Sequence, residues 1–250
     1  MSLRAVTVDL WGTLLLEPPG SDDRHKGRRL AEFQRILDGA GVAASADALD
    51  RGYRDCAAFL NQLWLQNRDT PVEDHVRVIL RALDPDAPER LPAETLRALA
   101  DAYADAILAA PPALADGAAA ALESLARQGY TLCLVSNTMR TPGRALRQVL
   151  RQYGVLGHFA HLAFSDECGV RKPEPEIFRR TLKAVGVAPA EAVHVGDDPV
   201  LDVEGARRAG MRVIQVTLER PPWFGRQRPH VAIRTLAELP EAVAKLSRRG

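Results

Sequence analysis

Short apolar runs recur along the chain, and most of them are separated by stretches with helical spacing of apolar residues. The runs are RAVTVDL (4–10), TLCLVSN (131–137), HLAFS (161–165), AVHVGD (192–197), RVIQVT (212–217) and HVAI (230–233). Their nearly continuous apolar character is typical of strands buried on both faces. Helical patterns lie between them at 118–129, 143–154, 175–186 and 202–210. This alternation predicts an α/β fold built on a doubly wound parallel sheet.

A long segment near the N-terminus interrupts this alternation. Residues 17–112 contain no convincing strand pattern and instead show four helical patterns, at about 22–40, 45–67, 71–83 and 92–110. Prolines lie at both borders and are typical of linkers. We therefore expect an all-helical cap domain at 17–112, inserted into a core domain made of residues 1–16 and 113–250. Since ligands of such sheets bind at the carboxyl ends of the strands, a cap over that edge would exclude water.

Composition excludes several classes of function. The chain has 250 residues, of which 46% are apolar and 26% charged, and its net charge of +1 favours neither nucleic acid nor a membrane surface as a partner. No apolar run approaches the roughly 20 residues of a membrane span. Three widely separated cysteines and the lack of a signal-like N-terminus lead us to expect a cytoplasmic protein. We expect a monomer or a homodimer, with Trp223 and Phe224 either at a dimer contact or packed on the sheet edge.

Polar side chains follow four of the predicted strands, at the points where the apolar runs end. They are Asp9, then Ser136 and Asn137, then Lys172, and then Asp197, Asp198 and Asp202. Each of them alone is more often a turn or helix-cap residue. Because the carboxyl ends of parallel strands meet at one edge of a sheet, we expect all of them to surround one site.

These residue types suit phosphoryl transfer, in which catalysis is mostly positioning and charge neutralisation. Asp9 is a carboxylate nucleophile for a phosphoryl or carbon centre, and with Asp197 it offers the hard oxygen ligands that Mg²⁺ prefers. Asp198 or Asp202 would add a ligand or orient a metal-bound water. Lys172 would neutralise Asp9 or the non-bridging oxygens of a phosphoryl group.

Donor groups near these residues would bind a substrate anion. Ser136 and the backbone N–H groups around Gly12 are suited to this. The candidate substrate-binding residues are Gly12, Thr13, Asn137 and Arg140. The basic cluster RHKGRR (24–29) is either a solvated surface or an anion-attracting rim, with Arg28 or Arg29 touching the substrate.

Four motifs carry a family resemblance. They are VDLWGTL (8–14), LVSNT (134–138), GVRKPEPEIF (169–178) and HVGDDPVLDVEGARRAGM (194–211). In order and spacing they resemble the haloacid dehalogenase (HAD) superfamily of hydrolases, in the branch with a helical cap of the first type. The resemblance implies a Rossmann-like sheet with Asp9 as the nucleophile and the main-chain carbonyl of Trp11 as a metal ligand. It also implies Ser136 on the phosphoryl group, Lys172 on the developing charge and Asp197 on Mg²⁺.

Trp11 is the position at which the chain departs from the family pattern. The phosphatases of that family carry an aspartate there, which protonates the leaving group and activates the hydrolytic water. Tryptophan has only an N–H donor and does neither, although its backbone carbonyl still allows metal binding. The expected loss is general acid–base help, typically worth about 10²–10⁴ in rate. We therefore expect a Mg²⁺-dependent phosphatase of a small phosphorylated metabolite that forms an aspartyl-phosphate on Asp9 and favours good leaving groups.

Two other functions stay open. The 2-haloacid dehalogenases of the family carry an aromatic residue, a tyrosine, at the position of Trp11, and halide leaves without a proton. Those enzymes work without metal, lack the acidic cluster GDD (196–198), and use a cap arginine whose place in LWLQNRD (63–69) is taken by Leu65. The third candidate is a non-catalytic regulatory protein that retains the fold and the anion site.

Overall fold

A six-stranded sheet forms the centre of the fold in the computed structural model, which describes residues 2–217 and 226–248. Trp223 and Phe224 lie outside the described residues. The strands are β1 (Ala5–Val8), β2 (Leu15–Leu16), β3 (Ala113–Leu114), β4 (Thr131–Ser136), β5 (Phe159–Phe164), β6 (Ala192–Gly196), β7 (Arg212–Val216) and β8 (Val231–Ile233). The sheet has the order β5-β4-β1-β6-β7-β8 with every neighbouring pair parallel, whereas β2 and β3 form a separate antiparallel ribbon. The prediction of an α/β fold with a doubly wound, Rossmann-like parallel sheet is confirmed.

Continuous apolar runs explain why β1 and its two neighbours lie at the centre of the sheet. Every residue of β1 and of β6 is buried. Because side chains alternate between the faces of a strand, Ala5 packs into one apolar cluster while Val6 and Val8 pack into the other. Val8 pairs with Leu134 of β4 and with Val195 of β6. The three strands therefore end together, at one edge of the sheet.

In the described chain, five helices lie between β2 and β3 and pack around a hydrophobic core of their own. They are α1 (Ser21–Gly39), α2 (Ala46–Leu65), α3 (Val72–Arg81), α4 (Ala87–Arg90) and α5 (Ala93–Asp105), followed by a 3₁₀ turn at Ala106–Ala109. Their buried core includes Phe33, Leu60, Ile79 and Tyr103. The ribbon of β2 and β3 brings the two ends of this helical segment together. The limits of a cap domain at residues 17 and 112 stay a prediction.

The remaining helices cover the two faces of the sheet. They are α6 (Ala118–Arg127), α7 (Gly143–Gln152), α8 (Ser165–Cys168), α9 (Pro175–Ala184), α10 (Gly205–Ala209) and α11 (Leu239–Arg248). Helices α6, α7 and α11 pack against one face, and α9 and α10 pack against the other. A π-helical segment, Pro199–Glu204, joins β6 to α10. Among the described residues, no helix combines the length and the apolar character that a membrane span requires.

Candidate active site

Asp9 lies directly after β1, at the carboxyl edge of the sheet, and is 4% exposed. The chain then reverses, since the N–H of Leu15 donates to the carbonyl of Leu10 at 2.8 Å and Gly12 adopts a φ of 74°. A Cβ at Gly12 would lie 2.7 Å from a carboxylate oxygen of Asp197. Glycine is therefore needed for both the backbone angle and the space, and the turn packs against Asp197.

Lys172 is the cation next to Asp9, and its side chain is buried. Its Nζ contacts the Asp9 carboxylate and lies 2.6 Å from Oδ1 of Asp202. The side chain of Asn137 holds the Lys172 backbone on both sides, because Nδ2 donates to the carbonyl at 3.1 Å and Oδ1 accepts from the N–H at 2.9 Å. The end of β4 thus positions the loop that carries Lys172, and this task occupies the amide of Asn137, which the sequence suggested for substrate binding.

Asp202, in the π-helical segment that follows β6, also holds Lys172 in place. Its Oδ1 accepts from Lys172 and from Nε2 of His194 at 2.9 Å, and its Oδ2 accepts from the N–H of Asp198 at 3.0 Å. Burial lowers the pKa of His194, which favours the neutral ring. With Nε2 as the donor to Asp202, Nδ1 is the acceptor for the hydroxyl of Thr7 at 2.8 Å. Both oxygens of Asp202 therefore already have protein donors.

The two acids that follow β6 have different partners. Oδ1 of Asp198 accepts from two backbone N–H groups of the following turn, at 2.7 and 2.8 Å, and so caps the π-helical segment. Asp197 instead groups with Asp9 and Asp202, because one carboxylate oxygen from each lies within 4.8 Å of the others. The structure brings three of the predicted metal-binding acids together and places the carboxylate of Asp198 on a helix terminus.

The grouped carboxylates carry more negative charge than Lys172 neutralises. Burial raises the pKa of Asp9 to about 8, with Lys172 opposing the rise and Asp202 and Asp197 adding to it. Burial, followed by the charge of Asp202, raises the pKa of Asp197 to about 6. Carboxylate oxygens are the hard ligands that Mg²⁺ prefers, and a divalent cation would favour their ionised forms. The chemistry of this donor set therefore fits a divalent metal ion.

Trp11 lies between the candidate site and the hydrophobic core. It lines the same cavity as Asp9 and packs against the apolar cluster on one face of the sheet. Nε1 of Trp11 and Oγ1 of Thr13 are buried and have no hydrogen-bond partner among the described residues. The hydroxyl of buried Ser136 donates to the carbonyl of Asn137 at a long 3.4 Å. Of these three residues only Trp11 is among the lining of the cavity as the described residues form it, so a role of Thr13 and Ser136 in binding a substrate anion stays a prediction.

A cavity of about 600 Å³ opens over this edge of the sheet. Its lining includes Asp9, Trp11, Gly12, Asn137, Asp197, Glu17, Asp22, His25, Trp64, Met139, Arg29 and Arg140. Arg29 and Arg140 are arginines that the sequence suggested for substrate binding. Arg28, the alternative to Arg29, lines a different surface pocket. The volume is within the range of small-molecule sites, roughly 300–1,000 Å³.

Asp69 and Arg171 form a buried ion pair that the sequence did not single out. The side chain of Asp69 is fully buried, and its Oδ2 lies 2.6 Å from Nη1 of Arg171. Ser165 and Trp64 also donate to this carboxylate, and the Arg171 guanidinium lies 4.4 Å from the centre of the Trp64 ring. Lys172 directly follows Arg171 along the chain. The ion pair therefore joins the helical segment to the loop that carries Lys172.

Backbone contacts reinforce this junction. The N–H of Arg171 donates to the carbonyl of Asn67 at 2.9 Å, and the N–H of Asp69 donates to the carbonyl of Gly169 at 3.3 Å. The sequence carries no strong signal for the pair, because an aspartate after a helix is a common turn residue and the chain is rich in arginine.

Asp69→Asn is expected to lower the free energy of unfolding by about 3–5 kcal/mol, because Arg171 would keep a buried charge without its partner. Chemical denaturation followed by circular dichroism measures the loss. Asp101→Asn is the matched control, since Asp101 pairs with Arg144 between the same two parts of the chain, but with 53% and 39% of the side chains exposed. The control is expected to cost less than about 1 kcal/mol, and equal losses would contradict the role of Asp69.

Comparisons with known proteins match this chain to a family and to named relatives. A family model described as haloacid dehalogenase-like hydrolase matches residues 3–210. The phosphoserine phosphatase of Thermus thermophilus is 38% identical over 122 residues, which are 49% of this chain and 48% of the relative. The glyceraldehyde 3-phosphate phosphatase of Pyrococcus furiosus is 31% identical over 134 residues, 53% of this chain and 54% of the relative. The chain thus spans about half the length of the curated relatives it matches.

Solved structures with a similar fold cover nearly the whole chain. A 2-haloacid dehalogenase from Pseudomonas syringae pv. tomato DC3000 has a TM-score of 0.70 at 25% identity, covering 98% of this chain and 99% of that one. A HAD phosphatase from Thermococcus onnurineus has a TM-score of 0.59 at 26% identity, covering 96% of this chain and 98% of that one. One is named a dehalogenase and the other a phosphatase, so the fold alone does not decide between the two reactions.

Proposed function

The chain belongs to the haloacid dehalogenase-like hydrolases, and from this premise we propose that it is a Mg²⁺-dependent phosphatase that acts on a small phosphorylated metabolite through Asp9. The observation that carries the proposal is the buried Asp9 carboxylate in contact with Nζ of Lys172, grouped with Asp197 and Asp202. This grouping supports the proposal, because the reaction needs a nucleophile, a cation and metal-binding acids close together at one edge of the sheet. The phosphatase names of two relatives add support.

In the first proposed step, Asp9 attacks the phosphorus atom of the substrate. A bond forms between a carboxylate oxygen of Asp9 and phosphorus, and the bond between phosphorus and the leaving oxygen breaks. Lys172, which Asp202 and Asn137 hold in place, neutralises charge on the attacking carboxylate and on the non-bridging oxygens. The leaving oxygen takes its proton from solvent, because Trp11 offers no acid.

In the second proposed step, water hydrolyses the aspartyl-phosphate, which releases phosphate and restores the Asp9 carboxylate. Mg²⁺, when bound by Asp9, Asp197 and the main-chain carbonyl of Trp11, would supply positive charge that keeps the carboxylates ionised and polarises the phosphoryl group. Asp202 is close enough to belong to this donor group, although its main contacts are with Lys172 and His194.

The test of the proposed function is phosphate release from phenyl phosphate with and without Mg²⁺. We expect turnover that needs Mg²⁺ and that a chelator abolishes. Phosphate release at the same rate in excess chelator would contradict the metal-dependent proposal, and a protein that is inert under both conditions would contradict the phosphatase proposal itself.

Alkyl phosphates are expected to react about 10²–10⁴-fold more slowly than aryl phosphates, as kcat/KM at saturating Mg²⁺, because an alkoxide needs the proton that Trp11 does not give. Phosphate release from 2-phenylethyl phosphate and phenyl phosphate measures the difference. The shared ring keeps apolar contacts similar in the two substrates. Equal rates would show that another group protonates the leaving oxygen.

Hydrolysis of a carbon–halogen bond is the second candidate function, favoured by the aromatic Trp11 and by the similarity to a 2-haloacid dehalogenase over most of the chain. Asp9 would attack the carbon that carries the halogen, and halide would leave without a proton. Leu65, at the place where the resemblance expects a cap arginine, is 79% exposed, which does not suit a halide site. Halide release from a 2-haloacid without phosphate release from phenyl phosphate would favour this reaction. The absence of both activities would favour a regulatory protein.

The expected partner of the protein is a small phosphorylated molecule. We also propose a cytoplasmic location, which the three widely separated cysteines support, and a monomeric or homodimeric state. Size-exclusion chromatography with light scattering measures the oligomeric state.

A further inference from the structure

Two arginines that line the cavity lie beside aromatic rings and form no ion pair within the part of the chain that the structure describes. Arg29 is 3% exposed, and Arg140 is partly buried. Among the described residues, no carboxylate oxygen lies within 4.0 Å of either guanidinium group. A buried cation without a counter-charge is costly unless other groups stabilise it. The contacts of the two side chains show what stabilises them.

Arg29 is held as a fixed fork by neutral oxygen atoms. Nε donates to the carbonyl of Tyr103 at 2.9 Å, and Nη1 donates to the hydroxyl of Tyr53 at 3.1 Å. Nη2 donates to Oγ1 of Thr141 at 3.2 Å and to the carbonyl of Arg140 at 3.4 Å. The guanidinium also lies 4.3 Å from the centre of the Tyr103 ring. All of these acceptors are uncharged, so the positive charge of Arg29 is kept and its direction is fixed.

Arg140 lies against the same aromatic side chains. Its guanidinium is 4.3 Å from the centre of the Tyr53 ring, and its Nη1 donates to the hydroxyl of Tyr103 at 3.2 Å. The carbonyl of Arg140 accepts from Arg29, which ties the two arginines together. A guanidinium has five N–H donors, so a second oxyanion can share a group that already binds one tyrosine.

Two acidic side chains of the cavity wall offset part of this charge. Asp22 is exposed, and Glu17, whose side chain is 35% exposed, interacts electrostatically with Arg29 without an ion pair at 4.0 Å or less among the described residues. Water screens both carboxylates. His25 is buried and also lines the cavity, and its Nε2 lies 3.9 Å from Oε1 of Glu17. This wall of the cavity therefore combines the two arginines with partly screened carboxylates, while the sheet edge offers Asp9 and Asp197.

We propose that Arg140, positioned by Arg29, binds a second oxyanion of the substrate, so that the substrates are small phosphate esters that also carry a carboxylate or a second phosphate. The inference rests on the proposed phosphatase function, because Asp9 would react with one phosphoryl group while Arg140 holds the other anion. The guanidinium of Arg140 suits carboxylate and phosphate oxygens, whereas Arg29, whose Nε and both Nη atoms already donate to the protein, adds positive charge and holds Arg140. The cavity volume suits a molecule of this size.

The experiment compares three aryl phosphates that differ in the group opposite the phosphate: 4-carboxyphenyl phosphate, the neutral 4-carbamoylphenyl phosphate and 1,4-phenylene bisphosphate. We expect kcat/KM to be about 10–100-fold higher for an anionic substrate than for the neutral one, the effect of hydrogen bonds to a charged group. The anionic substrate whose advantage over the neutral one falls more in the arginine variant identifies carboxylate or phosphate as the second group. Because the three phenols differ in reactivity, the deciding quantity is the change of each ratio in a variant.

Arg140→Gln is expected to reduce the anionic preference to near unity, and Arg29→Lys, which keeps the charge but loses the fork, is expected to reduce it in part. Arg28→Gln is the matched control, since Arg28 neighbours Arg29 but is exposed and lines another pocket. The control is expected to retain the full preference. Thermal melting of each variant confirms that it is folded.

Two results would overturn the inference, and they are distinguishable. If phosphate is released but Arg140→Gln changes neither ratio of an anionic to the neutral substrate, the second anion site is wrong while the phosphatase function stands. If none of the three substrates releases phosphate in the presence of Mg²⁺, the proposed function is wrong and the inference falls with it.

Discussion

Asp9→Asn is expected to lower phosphate release by roughly 10⁴-fold or more, the scale observed when a covalent nucleophile is removed. The amide of asparagine has the shape of the carboxylate but cannot form the aspartyl-phosphate. Lys172 would keep its contact with Asp202, so the fold and the position of the lysine are expected to persist. Single-turnover phosphate release at saturating Mg²⁺ measures the loss directly.

The control for this experiment is a partly buried carboxylate outside the cavity. Asp166 accepts from the N–H of Gly143 at the start of α7, and burial raises its pKa to about 6, so it resembles Asp9 in its raised pKa but not in place. Asp166→Asn is expected to affect stability and to leave kcat/KM within a few-fold of the wild type. Comparable losses of activity in the two variants would contradict the assignment of Asp9 as the nucleophile.

Trp11→Asp is expected to raise the rate on alkyl phosphates by about 10²–10⁴-fold, the usual value of general acid–base catalysis. The substitution places an acid two residues after the nucleophile, in the lining of the same cavity. Aryl phosphates need less help from an acid, so their rate is expected to rise less. The measurement is kcat/KM for 2-phenylethyl and phenyl phosphate in the wild type and the variant.

Trp11→Asn is the matched control for this gain. Asparagine opens the same space in the cavity and loses the same packing against the core. Its amide does not ionise, so it acts neither as a general acid nor as a general base. A gain in the aspartate variant alone would identify proton transfer as the missing function. Equal gains in both variants would mean that the tryptophan ring only obstructs the substrate.

The sheet and the edge that carries the candidate site follow directly from local sequence patterns. β1 and β6 are mostly apolar, are buried throughout and are followed by the polar residues Asp9 and Asp197, so both the buried strands and the ends of the strands can be predicted from the sequence. Parallel order then requires that these ends meet. Nothing beyond the pattern of single strands was needed for this part of the site.

The partners of individual side chains depend on tertiary geometry that a local pattern does not contain. Asp198 and Asp202 lie four residues apart in one motif, yet one caps a helical turn and the other contacts Lys172. Asp69 meets Arg171 across 102 positions of sequence. Such contacts between distant segments are decided by how the helical segment docks on the sheet.

Arg29 is a case in which a helical pattern did contain a signal. The buried residues of α1 include His25, Arg29, Phe33 and Leu37, at regular intervals of four. This spacing places Arg29 on the buried stripe of the helix. The run of basic residues around it concealed the pattern, because charge clusters are usually solvated.

The most direct test of the central claim is mass spectrometry of the protein after acid quenching during turnover of phenyl phosphate with Mg²⁺. Without a base at position 11, hydrolysis of the intermediate is expected to be slow, so a phosphoryl group should accumulate on Asp9 at steady state. Peptide mapping should place the added mass on Asp9 in the wild type and find none in Asp9→Asn. Rapid turnover with no phosphorylated protein at any quench time would contradict an aspartyl-phosphate that is slow to hydrolyse, and phosphate on another residue would contradict Asp9 as the nucleophile.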